Sequence, residues 1–385
     1  MRVLFLTHNY PRFAGDPSGS FIEELVNAMP EDIEVHVLRP HASGLPEIEQ
    51  RQKATLHSFR YASDREETLA YEGKMLSALK QGIKGLRLLE AFVREFGKAA
   101  KRLSASLKID ILHAHWLIPA GLAAKNALRH SAPPLVVSAH GTDVRLAETK
   151  IWSRILSREL LKSASLTLPV SAWLAEKLKR LFGENLKTEV LSMPASEIFC
   201  APPRKMLIRR IVAVGNLTIQ KRFNVLIDAL DLLYKEGLKP ALDIVGTGDE
   251  LEKLTIQAKT LGVDVQFLGK LPHHALPETL KESGILVLPS VAEGFGLSMV
   301  EAQLAGLAVI GADAGGQGEI IEHKKTGLLV PPDNPKALAQ SIKKMLNNPE
   351  WTLQLAAEGQ RQAKNRFLPV PTAKRLATIY EELLK

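Results

Sequence analysis

Short apolar runs alternate with amphipathic stretches along the whole chain. RVLFLT (Arg2 to Thr7), IEVHVL (Ile33 to Leu38), Ile109 to His113, Leu135 to Val144 and SLTLPV make one series; RRIVAVG, LDIV, DVQFLG, Gly284 to Pro289 and LAVIGA make another. Runs this short and this continuously apolar are what strands covered on both faces require. The stretches Ser20 to Ala28, Ser171 to Leu181, Phe223 to Leu233 and Leu297 to Ala305 have helical spacing, as do residues 352–366 and 372–384. Strand, helix, strand in repetition predicts parallel sheets in an α/β fold. Residues 41–73 carry no pattern, and no element is predicted there.

Residues 192–206, SMPASEIFCAPPRKM, hold three prolines and no periodicity, which marks a domain joint. After it the chain restarts as it began, with strand, glycine loop and helix. The expected architecture is α/β, two Rossmann-like doubly wound domains facing a cleft, spanning residues 1–195 and 196–369. The final helix, 370–385, is expected to pack back on the first domain.

Composition narrows the class. With 385 residues, 45% hydrophobic and 24% charged, the chain reads as a globular protein of two domains. No apolar run is long enough to span a bilayer, and the opening does not resemble a leader peptide. The single cysteine, Cys200, excludes an internal disulfide, so a cytoplasmic home is expected. The net charge of +8 is uneven: Lys74 to Lys108 holds nine Lys and Arg against two Glu. Leu76, Leu79, Ile83, Leu86, Leu89, Val93 and Phe96 recur beside those bases at helical spacing, predicting two helices broken near Gly97. Such a pair is either an ordinary solvated surface or an attachment to anionic lipid, at the inner face of a membrane or on a lipid-linked acceptor. The segment has few aromatic residues and no nucleic-acid module, so nucleic acid is not an expected partner.

The candidate chemistry gathers where strands end. Glu293 follows the strand Gly284 to Pro289, and Glu301 lies eight residues on, inside a helix. Between them Gly294, Phe295, Gly296 and Leu297 bring backbone amides and a helix amino end to the same place. Carboxylates suit hydroxyl donors and amides suit anions; a nucleotide sugar offers both partners. Gly215, with Asn216, ends another strand, and Lys221 precedes the next helix, a position suited to a diphosphate. Gly246 belongs to a Gly-x-Gly turn that lacks the third glycine of a dinucleotide fingerprint. In the first half, a glycine loop leads into a helix whose Ser20, Glu23 and Glu24 suggest a capped start, a phosphate-binding geometry in which Gly19 (or Gly15) is expected nearest the phosphate. His113, His115 and Trp116 end one strand, and His140, Gly141 and Asp143 end another. A metal reading of the His-x-His pair lacks a completing Cys or carboxylate nearby.

The stretch Ser-Val-Ala-Glu-Gly-Phe-Gly followed by Glu301, Ala302 and Gly306 resembles the signature of the retaining glycosyltransferases of family 4, the group 1 transferases. HAHW-x-x-P and the strand-end HG-x-D are similar to that family too, and the motifs follow in its order over nearly the whole chain. The resemblance implies the GT-B architecture and a retaining transfer of a hexose from a nucleoside diphosphate sugar, UDP- or GDP-linked, to an acceptor hydroxyl, as in cell-envelope glycan or glycolipid synthesis. It implies no required cofactor and no metal, in keeping with the lack of any Asp-x-Asp among twelve aspartates. By the same resemblance, Glu301 binds ribose, Glu293 and the amides of Gly294 to Leu297 orient the sugar, His140 lies beside it, and the backbone at Lys270 and Leu271 holds the base. His115, Trp116 and Asp143 are expected on the acceptor rim. The chain departs from the family with Asn216 for an arginine and Arg222 for a glycine, and with Ala308 and Gly318 where proline is usual; Arg222 or another base is expected to restore the missing charge. A nucleotide-sugar epimerase, a phosphorylase-like enzyme and a degenerate nucleotide-sugar-binding subunit remain the alternatives.

Overall fold

A computed structural model describes residues 1–13, 15–71, 82–128, 132–202 and 209–385. The expectations for Leu76 and Leu79, for the rest of 74–81 and for joint residues 203–206 fall outside them, as does the side chain of Ile83. The chain forms two compact units, Met1–Ser192 with Pro369–Lys385, and Met193–Leu368.

The first unit contains β1 (Arg2–Leu6), α1 (Ser20–Asn27), β2 (Glu34–Pro40), β3 (Ile48–Arg51), β4 (Ala54–Phe59), α2 (Gly82–Ser106), β5 (Ile111–His115), α3 (Leu122–Ala127), β6 (Leu135–Ala139), α4 (Thr142–Thr149), α5 (Ile151–Leu161), β7 (Leu166–Pro169) and α6 (Ala172–Phe182). The sheet order is β3-β4-β2-β1-β5-β6-β7, parallel except for the β3–β4 pair. Val3, Leu4, Phe5 and Leu6 of β1 are wholly buried, which is why that strand reads as an unbroken apolar run. Order reverses on either side of β1, since β2 and β5 flank it, so the carboxyl ends of β1 and β5 open at the topological switch point.

Two local expectations fail here. The helix α2 runs unbroken through Gly97, because that glycine serves packing: a Cβ there would meet Asn126 Cβ at 3.1 Å and the Ala123 carbonyl at 3.2 Å. The α1 start is not capped by Ser20; its cap is Gly19 in a left-handed conformation, with no side-chain bond. Glu23 instead pairs with Arg51.

In the second unit follow β8 (Arg210–Val214), α7 (Phe223–Lys235), β9 (Ala241–Val245), α8 (Leu251–Leu261), β10 (Val265–Gly269), α9 (Leu276–Lys281), β11 (Ile285–Leu288), α10 (Leu297–Leu304), β12 (Ala308–Ala312), β13 (Leu328–Val330), α11 (Pro335–Asn347) and α12 (Pro349–Arg366). Its sheet is wholly parallel in the order β10-β9-β8-β11-β12-β13, with the switch point between β8 and β11. The last helix, α13 (Pro369–Leu384), lies in the first unit, where Tyr380 is wholly buried with its hydroxyl 2.5 Å from His113 Nδ1.

Candidate functional site

Each unit carries a cluster of polar side chains at its switch point. In the second unit Gly215 follows β8, and its lack of a side chain leaves room for Lys221 to lie across it; a Cβ would stand 3.0 Å from Lys221 Cε. Lys221 closes a short helical turn after that strand, while Glu293 follows β11, the neighbouring strand. The two strand ends deliver the pair to one point, with Lys221 Nζ 2.6 Å from Glu293 Oε2 and each side chain about a fifth exposed. The ammonium is therefore held by a carboxylate yet still open to a ligand, an arrangement that suits an anion arriving from solvent.

The glycines around this pair are explained by close backbone packing. A Cβ on Gly246 would stand 2.0 Å from the Gly215 carbonyl oxygen, and one on Gly315 would stand 2.4 Å from the Glu293 oxygen. Gly316 fits against Gly294 in the same way. These residues thus fix the shapes of the Gly215–Asn216 and Glu293–Gly294 turns. Gly296, at φ 108°, caps α10, and its carbonyl accepts from the Met299 and Val300 amides. Phe295, by contrast, is core: it is 1% exposed and packs edge-on against Phe367. Only its backbone is available to a ligand.

Glu301 is buried on α10, with His273 Nε2 at 3.4 Å from its Oε1. Nothing in the residue pattern singles out His273, which stands two residues beyond Leu271, after the β10 strand end. Arg222 has partners of its own: its Nε donates to Asp333 Oδ1 at 2.6 Å and its Nη1 to the Ile219 carbonyl at 2.8 Å, so the guanidinium is turned to Asp333. Arg222 also sits at φ 53°, the left-handed region a glycine would occupy without strain.

The first unit's cluster is built from rings. His115, the last residue of β5, is 2% exposed, and its Nδ1 lies 3.1 Å from Nε2 of His140, which follows β6. Their planes stack at 5.2 Å. Trp116 packs on His140 at 4.4 Å, His8 meets Trp116 edge-on at 4.6 Å, and Phe21 closes the other side of His140 at 5.2 Å. Burial pushes the His140 imidazole well below its usual range, His115 to about 3 and His8 to about 4, so all three are neutral at pH 7. A neutral pair shares one proton across the His115–His140 contact. If His115 Nδ1 donates, His140 Nδ1 carries a proton and can donate; in the reverse tautomer that nitrogen accepts.

Asp143 and His115, both expected on an acceptor rim, are buried. Burial raises the Asp143 carboxyl, and four amides bind it: Leu117 N on one oxygen at 2.9 Å, and Gly141 N, Val144 N and His140 N on the other at 2.9, 2.9 and 3.2 Å. With its lone pairs engaged, Asp143 is a positioning residue for the His140 turn. His115 is equally interior and supports His140 from behind. Gly19 (φ 69°) abuts the Asn9 carbonyl, where a Cβ would stand 2.0 Å away, so it fixes the loop after β1. His8 was missed by sequence reasoning, though its position just past β1 at the switch point was the available signal.

Comparison with known proteins agrees across both units. Residues 205–365 match the sequence model of the family described as glycosyl transferases group 1, and residues 18–193 that of glycosyltransferase family 4. An uncharacterized glycosyltransferase of Methanocaldococcus jannaschii is 25% identical over 295 residues, covering 74% of this chain and 79% of its own. Sucrose-phosphate synthase from Thermosynechococcus elongatus superposes with a TM-score of 0.80 at 19% identity, over 99% of this chain and 98% of that one. HepE of Anabaena, solved in complex with UDP-glucose, superposes with a TM-score of 0.72 at 19% identity, over 99% and 100%.

Proposed function

Because the chain belongs to the group 1 glycosyltransferases and has their GT-B fold, we propose that it transfers a hexose from a UDP-sugar to an acceptor hydroxyl with retention of anomeric configuration. The observation that carries the reading is the Lys221–Glu293 pair at the second unit's switch point, with Glu301 buried eight residues along. In this reading Glu301 accepts hydrogen bonds from the ribose hydroxyls and the α10 amides receive the diphosphate. Lys221 balances the charge that grows on the leaving phosphate. Glu293 holds Lys221 in place and accepts from a sugar hydroxyl. UDP is favoured over GDP because HepE was solved with UDP-glucose.

The acceptor oxygen forms its bond to the anomeric carbon as the carbon–phosphate oxygen bond breaks on the same face. The acceptor's proton passes to the departing phosphate, and no protein base is required. His140, neutral and held by His115, offers its Nδ1 or its backbone carbonyl to the sugar as positive charge develops. No metal is required in this account, so EDTA leaves the rate unchanged. A lipid-linked acceptor and a membrane contact through the basic face of α2 fit the charge of that helix.

The test is proton NMR of UDP-glucose incubated with enzyme, following the first sugar released to water or to an acceptor. Retention gives the α anomer first together with free UDP. The β anomer first would sink the retaining step. Conversion to another UDP-sugar without UDP release would favour the epimerase.

A further inference from the structure

The first unit also holds a cavity of about 920 Å³ that the donor reading does not use. Leu89 and Val93 of α2, Leu122 of α3, Leu146 of α4, and Trp152 and Leu156 of α5 form its walls. At one end it reaches His8 and Trp116, the two rings that pack around His140. Its mouth keeps large apolar side chains in water: Leu86 is 54% exposed, Leu156 40% and Trp152 39%, with Ile155 at 57% beside them on α5. Apolar side chains concentrated like this around one opening mark a binding surface.

Charge says what kind of ligand would enter. The described helix α2 carries six Lys and Arg against two Glu, and Arg94, Lys98 and Lys101 line the cavity. Arg94 and Lys98 share Glu95, at 3.1 and 2.9 Å, and Arg94 also pairs with Glu90 at 3.3 Å, while Lys101 makes no ion pair among the described residues. A free sugar acceptor would call for walls made mostly of hydrogen-bonding groups; these walls are mainly hydrocarbon and indole, with Asn126, Thr142 and Asp143 among them and Glu90 beside the cations. We infer that this cavity binds the hydrocarbon chain of an amphiphilic acceptor, its anionic phosphate lying on the α2 cations and its hydroxyl directed toward His8, Trp116 and His140. The inference rests on the transferase reading and specifies its acceptor class.

The probe is dodecyl phosphate below its micellar concentration, followed by tryptophan emission, since Trp116 and Trp152 both line the cavity. Saturable one-to-one binding is expected, and inorganic phosphate alone should give none. Leu89→Glu and Leu156→Glu should each weaken it at least ~10-fold, and Lys101→Glu by roughly 3- to 10-fold. All three should keep the wild-type melting temperature and its rise with UDP. Two results would overturn the inference: no saturable binding, or variants that bind like wild type. Equal affinity for dodecyl maltoside would remove the phosphate from it, and association with anionic vesicles without dodecyl phosphate binding would make α2 a surface contact only. A chain that binds dodecyl phosphate but gains no stability from UDP would refute the donor reading and leave the cavity assignment standing.

Discussion

The two switch-point clusters share a topology and differ in chemistry. In the second unit the strand ends carry charge, with Lys221 on Glu293 at 2.6 Å and His273 beside Glu301. In the first unit the same positions carry neutral rings, His115, His140, Trp116 and His8, with the carboxylate Asp143 wrapped in amides below them. The two doubly wound units thus carry a charged strand-end cluster and a desolvated, uncharged one. That is the division a transfer needs: a diphosphate must be held and neutralised, while an acceptor and a cationic sugar must meet without water.

Removing charge from the second unit should cost the most. Glu293→Gln and Lys221→Met are each expected to lower kcat/KM by about 100- to 1,000-fold, with little change in melting temperature, because both side chains are partly exposed. An unchanged rate in either variant would end the parallel between site and function.

Elsewhere in the first unit a charged network is buried. Arg39 is wholly buried, donating to the Pro11 carbonyl and to Glu49 at 2.7 and 2.6 Å, and Arg51 bonds Glu49 and the Pro11 and Arg12 carbonyls. Glu49→Gln leaves the buried guanidinium without its counter-ion, so chemical denaturation should show a loss of about 3 kcal/mol. Asp143→Ala unpairs several amides and should destabilise by about 2 kcal/mol. A variant with wild-type stability and a raised acceptor KM would instead return Asp143 to the acceptor rim.

The smallest effect is in pH. His115 has a folded pKa near 3 against 6.5 unfolded, so its contribution is complete above pH 6.5 and declines as pH falls toward 3. Between pH 7 and 5.5 the loss should be about 1 kcal/mol. His115→Asn should flatten the stability profile by that amount; an unchanged slope would mean the ring is not held neutral by burial.

The parallel strands were legible because burial on both faces writes them as unbroken apolar runs, and the glycine turns announced the strand ends. The β3–β4 hairpin was not, since Ile48–Arg51 is a half-exposed edge strand with no alternation to read. Gly97 looked like a break because spacing along a helix does not reveal the helix packed against it. Arg222 showed in sequence as a cation near Lys221, but its direction depends on Asp333, which is 111 residues away. The partners of His273 and Asp143 were illegible for the same reason: they are set by tertiary structure or by backbone amides, which leave no residue type to recognise.

The most direct measurement is thermal unfolding with UDP, UDP-glucose, GDP and ADP, on the wild-type chain and on Glu301→Ala. At a hundredfold excess over Kd a bound uridine nucleotide should add about 2.7 kcal/mol to wild-type stability. The account predicts that this gain appears with UDP or UDP-glucose and disappears in Glu301→Ala. No stabilisation by any nucleotide, or full stabilisation of the Glu301→Ala chain, would contradict it.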